Sequence, residues 1–404
     1  MTSFNNLGLD KALLAKITQS GFVEPTYIQE KSIPPIMEGK DVIGQSETGS
    51  GKTFAFGCGL ISNISKGFGI GGIVLTPTRE LAEQVSGVLE VFSKHKKLKV
   101  LPVYGGVSIN PQIEKLRHAD IVVATPGRLL DHIDRRTIDL SKIKILVLDE
   151  ADRMVDMGFI DDVEKIIRLC PKKRQTLLFS ATISNDIEEI KNKYMNNPIS
   201  ISARSQVDPT KLSQEYYDID DRMKFSLLVH LLQNEHPGLI MVFCNTRNQV
   251  DFIAKNLRLN GLDATEIHGG FSQAKRSVSM KKFQDNKASI LVCTDVAARG
   301  LDIQGVSHVY NYDMSKDAKE YIHRIGRTAR AGKKGLVVNL ISPRDHENFG
   351  RLQHMYSNLE IRNVDTPKME RAQMKVPTQA SRDDSRGPRR FGNNRRGSSS
   401  NRRR

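Results

Sequence analysis

"GQSETGSGKT", residues 44–53, follows the short apolar run "DVI" and closes on Gly51-Lys52-Thr53. A phosphate-cradling loop wants Gly, four residues, then Gly-Lys-Ser/Thr. Here the first of those positions is Ser46, while the tight part, Gly49-Ser50-Gly51, is intact. Glycines let backbone N–H groups turn inward against phosphate oxygens. Lys52 is placed to reach the β and γ phosphates, and the Thr53 hydroxyl to ligate Mg²⁺. A helix starting here adds its positive end. The stretch therefore reads as the turn from a buried strand into a nucleotide-binding helix.

The surrounding sequence repeats that grammar. Apolar runs recur, each followed at once by small, polar or charged residues: "GIVLTPTRE", "DIVVATPGR", "KILVLDEAD", "TLLFSAT", "LIMVFCNT" and "SILVCTDVAARG". Continuous aliphatic runs are strands buried on both faces of a parallel sheet. Helical patterns such as "ELAEQVSGVLEVFSKH" lie between them. The expectation is an α/β fold with helices on both faces of mostly parallel sheets. The polar residues fall after the strands, at the carboxyl edge where open α/β sheets bind ligands. The polar segment 204–213 reads as a linker, which divides the chain into domains at 1–203 and 214–363. From Val364 onward apolar periodicity is lost, and 364–404 reads as a disordered basic tail.

At 404 residues, two or three domains of ~150 residues are expected. Cys58, Cys170, Cys244 and Cys293 form no CxxC pair, which argues against a disulfide framework or a zinc site. No secretory h-region and no run of ~18 apolar residues is seen, so a cytoplasmic protein without a membrane partner is expected. The net charge is +15, and 364–404 holds twelve basic against four acidic residues, or +8. A polyanion partner follows from that excess.

"ILVLDEAD", residues 145–152, supplies what the phosphate loop lacks. Asp149, directly after an apolar strand, is the second anchor for Mg²⁺. Glu150 beside it is placed to orient or deprotonate a water. The order of "SETGSGKT", "PTREL", "TPGR", "DEAD", "SAT", "TDVAARGLD" and "HRIGRTAR" resembles that of the DEAD-box RNA helicases from about Phe4 to about Pro343. The short chain with a basic tail is most similar to small prokaryotic members such as the RhlE-like group. The resemblance implies two tandem RecA-like domains and an ATP-dependent, local, non-processive unwinding of short RNA duplexes.

It also implies roles. Gln29 in "GFVEPTYIQ" would read the adenine edge, since an amide offers both a donor and an acceptor, and Phe4 would stack on the base. Thr48, Gly49, Ser50, Gly51, Lys52 and Thr53 would hold the phosphates, with Asp302 on the ribose. Arg327 and Arg330 would be the arginine fingers, joined by His323; planar forks suit phosphate better than lysine does. Ala329 stands where the family commonly has Gly. Ser180, Ala181 and Thr182 would couple hydrolysis to domain closure by bonding back to "DEAD". RNA would lie on Arg79, Gly105, Gly106, Thr125 and Arg128 of one domain and Gln273, Arg276, Thr294 and Arg299 of the other. Such residues suit phosphate and 2′-OH contacts rather than base edges. Other ribonucleoprotein components join RNA and ATP as expected partners. An ATP-gated RNA clamp and a DNA translocase are the competing functions.

Overall fold

The apolar runs become strands because each alternates its side chains between two buried layers. In β5, Ile145–Asp149, Ile145 and Val147 enter one core while Leu146 and Leu148 enter the other. In the computed structural model of the chain, residues 3–46, 49–203, 212–234, 238–298, 303, 305–329, 334–357 and 359–375 are described. The first sheet holds β1 Val42–Gln45, β2 Gly72–Leu75, β3 Val100–Val103, β4 Ile121–Ala124, β5, β6 Gln175–Ser180 and β7 Ile199–Ser202, in the order β3-β4-β2-β5-β6-β1-β7. The second holds β8 Leu212–Asp218, β9 Leu239–Phe243, β10 Ala264–Ile267, β11 Ile290–Cys293, β12 Val306–Asn311, β13 Gly335–Ile341 and β14 Arg362–Asn363, in the order β10-β11-β9-β12-β13-β8-β14. Every strand pair is parallel, as in β1 on β6 and β8 on β13. Helices cover both faces of each sheet, giving four core clusters, two to a sheet. Two tandem RecA-like units result.

Two expectations need correction. β8 begins at Leu212, inside the stretch read as linker. The tail does not begin at Val364. The Val364 N–H donates to the Tyr216 carbonyl, the Ala372 N–H to Ser226 Oγ and the Lys375 N–H to Asn256 Oδ1. Val364, Met369 and Ala372 pack against the second sheet's core. Residues 364–375 are thus an extended strap, invisible to periodicity because its anchors are backbone groups and three scattered apolar side chains. Residues 376–404, the rest of the expected tail, lie outside the described residues.

A buried arginine organises the second sheet. Arg324, 1% exposed, donates to both Asp295 carboxylate oxygens at 2.6 Å, to Asn311 Oδ1 at 3.0 Å, to the Asp313 carbonyl at 2.6 Å and to Asn245 Oδ1 at 3.1 Å. A charge so fully paired is tolerated in a core, whereas removing one partner costs ~3–5 kcal/mol.

Candidate active site

The helix Lys52–Asn63 starts from Gly51, whose φ of 92° is left-handed. A side chain there would be strained, and its Cβ would fall 2.3 Å from Gln29 Nε2. The close approach reflects a hydrogen bond: Gln29 Nε2 donates to the Gly51 carbonyl at 3.2 Å, and Gln29 Oε1 accepts from the Thr26 N–H at 3.0 Å. Thr26 Oγ1 donates to the Ser50 carbonyl at 2.7 Å. The capping box of the helix Tyr27–Met37 is therefore tied to the phosphate loop. An amide nitrogen has two protons and its oxygen two lone pairs, so Gln29 retains capacity for an adenine edge. Ser46 answers the departure from the loop pattern by meeting Ser50, Oγ to Oγ, at 2.8 Å. Lys52 is buried and donates to the Ser46 carbonyl at 2.6 Å, folded back on the loop.

Phe4 lies elsewhere than expected for an open stacking face. It is 4% exposed and meets Phe54 edge-on, with centroids 5.8 Å apart. Its observed contact closes the core beneath the nucleotide helix.

Asp149 ends β5 at 2% exposure and accepts the Glu150 N–H at 3.1 Å. Burial pushes its carboxyl up to about 7, Glu150 and Asp152 add to the rise, and Lys52 pulls against it. The folded protein thus holds this proton more tightly than the unfolded chain does. The stability linked to it is full below the ordinary carboxylate pKa of 3.8 and is lost as pH rises to about 7. Asp149→Asn should accordingly raise the unfolding midpoint of the nucleotide-free protein, by roughly 2–4 °C per kcal/mol relieved. The gain should be absent near pH 4 and complete above pH 7; melts of both proteins across that range check it.

Glu150 sits at φ 52°, ψ 52°, a left-handed backbone that is uncommon outside glycine and clusters at functional sites. It caps the short helix Ala151–Asp156. Around it the third acidic residue is fully engaged. The Asp152 N–H donates to Ser180 Oγ at 3.1 Å, Ser180 Oγ donates to the Thr182 carbonyl at 2.7 Å, and Asp152 Oδ2 accepts from the Thr182 N–H at 3.1 Å. Ser180 and Thr182 are thereby brought onto the "DEAD" turn. Ala181 between them turns the other way, its carbonyl accepting from Gln45 Nε2 at 3.3 Å.

Among the described residues, no cluster of three or more His, Cys, Asp or Glu side chains forms a metal cage. Mg²⁺ needs none, since it keeps waters and phosphate oxygens and takes one or two protein ligands. A buried carboxylate opposite the first helical turn that carries Thr53 is the right donor set.

Among the described residues, the two units share a pocket and a cleft. Arg153, just past "DEAD", shares a narrow pocket with Asp295, Glu320, His323, Arg324 and Arg327. A cleft of about 510 Å³ is lined by Arg79, Glu80, Gly105, Thr125 and Arg128 from the first unit and by Gly269, Phe271, Arg276 and Val296 from the second. Across it, Arg276 Nε lies 2.7 Å from Glu80 Oε1 with both side chains nearly buried. Gly106 is not in the lining. Its φ is 79°, and a Cβ would fall 1.9 Å from Arg79 Nη1, so it is the floor on which the Arg79 guanidinium rests. Thr294 and Gln273 are buried and outside the lining, and both amide atoms of Gln273 lack a hydrogen-bond partner among the described residues. Thr48, Arg299, Asp302 and Arg330 lie outside the described residues. Sequence reasoning passed over Glu80, inside the "PTREL" motif, and Arg153, the residue that follows "DEAD".

A family profile described as DEAD/DEAH box helicase matches residues 26–190, and one described as helicase conserved C-terminal domain matches residues 223–332. The chain is 44% identical to the DEAD-box ATP-dependent RNA helicase CshA of Bacillus cereus over 92% of this chain and 71% of that protein. It superposes on Saccharomyces cerevisiae Dbp5 bound to RNA and ADP BeF3 with a TM-score of 0.82 at 31% identity, covering 91% of this chain and 96% of that one. On a DEAD box protein of Methanococcus jannaschii the TM-score is 0.55 at 40% identity, covering 90% and 99%.

Proposed function

The chain belongs to the DEAD-box ATP-dependent RNA helicases, and from that premise we propose that ATP and RNA together close its two units, 1–203 and 212–375, on one another. Closure separates short duplexes locally, without processive travel. The observation that carries this reading is that residues of both units share one pocket and one cleft: Arg153 and Arg327 line the pocket, and Arg276 pairs with Glu80 across the cleft. The superpositions support it. Global agreement falls when similar domains are placed differently, and the better match is to the relative bound to RNA and a nucleotide analogue, despite its lower identity.

In this reading the phosphates lie on residues 48–53, with Lys52 leaving the Ser46 carbonyl to meet them. Gln29 reads the adenine, Phe4 borders it through its rim, and Asp302 takes the ribose. Mg²⁺, held by Thr53 and Asp149, supplies neutralisation of phosphate charge. Glu150 accepts the proton of the attacking water. Arg327 and Arg330 stabilise the transferring charge, with His323 beside them. The bonds from Ser180 and Thr182 to Asp152 carry the state of the "DEAD" turn to the RNA cleft, where Arg79, Thr125, Arg128 and Arg276 grip phosphates over the floor of Gly105 and Gly106. Gln273, Thr294 and Arg299 complete the second wall. Contacts of this kind go to phosphate and 2′-OH groups, which carry no sequence information, so binding is sequence-tolerant.

The test is ATP hydrolysis with and without single-stranded RNA at fixed salt, beside strand separation of duplexes of increasing length. RNA-stimulated turnover with unwinding that fades as duplexes lengthen is expected. Hydrolysis indifferent to RNA would remove the closure reading. A stoichiometric, turnover-free hold on RNA would favour the clamp, and loss of the 2′-OH requirement the DNA translocase. A cytoplasmic setting fits the reading, and no helix among the described residues is long and apolar enough to cross a membrane.

The basic tail tethers RNA loosely. Removing residues 381–404 should weaken RNA binding and flatten its salt dependence, by ~0.7 in log–log slope for each single-strand phosphate that is no longer neutralised. A titration series over salt measures it, and an unchanged slope would assign the tail another role.

A further inference from the structure

The charge of the first unit is gathered on the edge opposite the nucleotide. Residues 38–41, 65–71, 94–99, 117–120, 139–144 and 171–174 are the turns entering β1, β2, β3, β4, β5 and β6. They contain twelve Lys or Arg against four Asp or Glu, or +8. Residues 1–203 as a whole contain 26 basic and 24 acidic residues, so the remainder of the unit is −6. Because all seven strands are parallel, these turns share one edge about 29 Å long at ~4.8 Å per strand.

The acidic residues on that edge are committed. Asp120, 1% exposed, accepts the Gly67 N–H at 2.7 Å and the Lys99 N–H at 2.8 Å. Asp41 accepts the Thr176 and Asn196 N–H groups, each at 2.7 Å, Asp139 accepts the Ser141 N–H, and Glu38 pairs with Lys40. Lys96 and Arg174 are half-buried on the Ser62 and Pro171 carbonyls, while Lys97, Lys99, Arg117, Lys142 and Lys144 stand out in solvent. Helix carboxyl ends also reach this edge and favour a cation each, but that preference does not explain the aromatic ring among them. Phe68 is 71% exposed at the tip of the turn into β2. Gly67 and Gly69 flank it at φ 79° and 88°, and Asp120 pins the turn from below. A Cβ on Gly69 would meet Lys142 Cδ at 3.1 Å, so the Lys142 stem lies beside the tip.

We propose that this edge is a second RNA-binding face, which takes single-stranded RNA with its phosphates along the lysine-bearing turns and one base on Phe68. A cationic track with an exposed, pinned aromatic ring is the combination that holds single strands without sequence preference. The family's ligand being RNA selects it over an acidic protein. The face lies behind the cleft, so it holds RNA flanking the segment that is unwound, and it does not depend on the closure reading.

The experiment uses the full chain, Phe68→Ala, Phe68→Trp and a Lys97→Ala, Lys99→Ala, Lys142→Ala triple variant, with labelled oligouridines either short enough to fill only the cleft or long enough to pass round the domain. Phe68→Ala should bind the long strand roughly five- to a hundredfold more weakly, with Phe68→Trp restoring it. The triple variant should lose about 2 in log–log salt slope. Short-strand binding, short-strand-stimulated hydrolysis and the unfolding midpoint should not move, which separates failure here from failure of the cleft. Unchanged long-strand binding would overturn the proposal. So would equal losses on short and long strands, or variants that lose polyglutamate binding while keeping RNA, which would make the edge a docking face for an acidic protein.

Discussion

Glu150→Gln is expected to lower RNA-stimulated ATP hydrolysis by ~10²–10⁴-fold, the usual worth of a positioned general base, while ATP and RNA still bind. The substitution keeps the shape of the side chain and removes only its capacity to take a proton. Its backbone demand is unusual, with φ at 52° directly after the buried Asp149, and an amide-bearing side chain can occupy that region. The turn, the Glu150 N–H to Asp149 bond and the helix Ala151–Asp156 should therefore survive. Steady-state hydrolysis at saturating RNA, paired with a nucleotide-binding titration, measures the split. A variant that hydrolyses like wild type would mean that another group handles the water.

Arg327→Lys should be comparably severe. A finger on the transferring phosphate is worth ~10³–10⁵ in rate, and lysine keeps the charge but loses the planar fork. Arg327 is 5% exposed and faces Arg153 across the two units. Single-turnover hydrolysis with RNA and ATP saturating isolates its effect from binding. Arg324→Lys is the informative contrast: it should lower the unfolding midpoint of the second unit, because Asp295 and Asn311 lose partners in the core. An Arg327→Lys variant that melted early but turned over normally would exchange the two assignments.

That contrast marks what was legible in the sequence. The strands were, because aliphatic runs buried on both faces have few other uses, and so was the order of the turns that follow them. The turn from β1 into the helix Lys52–Asn63 was legible despite Ser46, since Gly51 supplies the left-handed backbone from which that helix starts. Which arginine of "HRIGRTAR" is held in the core was not, because the partners of Arg324 come from the ends of β9, β11 and β12, up to 79 residues away. Glu80 was passed over, and the support that Gly106 gives to Arg79 was not legible, for a related reason. One faces a residue nearly two hundred positions later, and the other serves Arg79 by having no side chain. The strap over 364–375 was missed because its bonds run to Asn256 and Ser226, which no local pattern announces.

The five bonds of Arg324 have a kinetic consequence. They bind helix Ala318–Ile325 to three strand ends, so in the proposed closure Arg327, two residues past that helix, would travel with the second unit as a rigid cargo. How often it met the nucleotide would then be a problem of tethered diffusion, set by the effective concentration that the connecting segment imposes. Lengthening that segment would dilute it, with encounter falling roughly as the −3/2 power of its length once the span is exceeded. Turnover and RNA residence time would then be tuned through a stretch of chain that touches neither ligand.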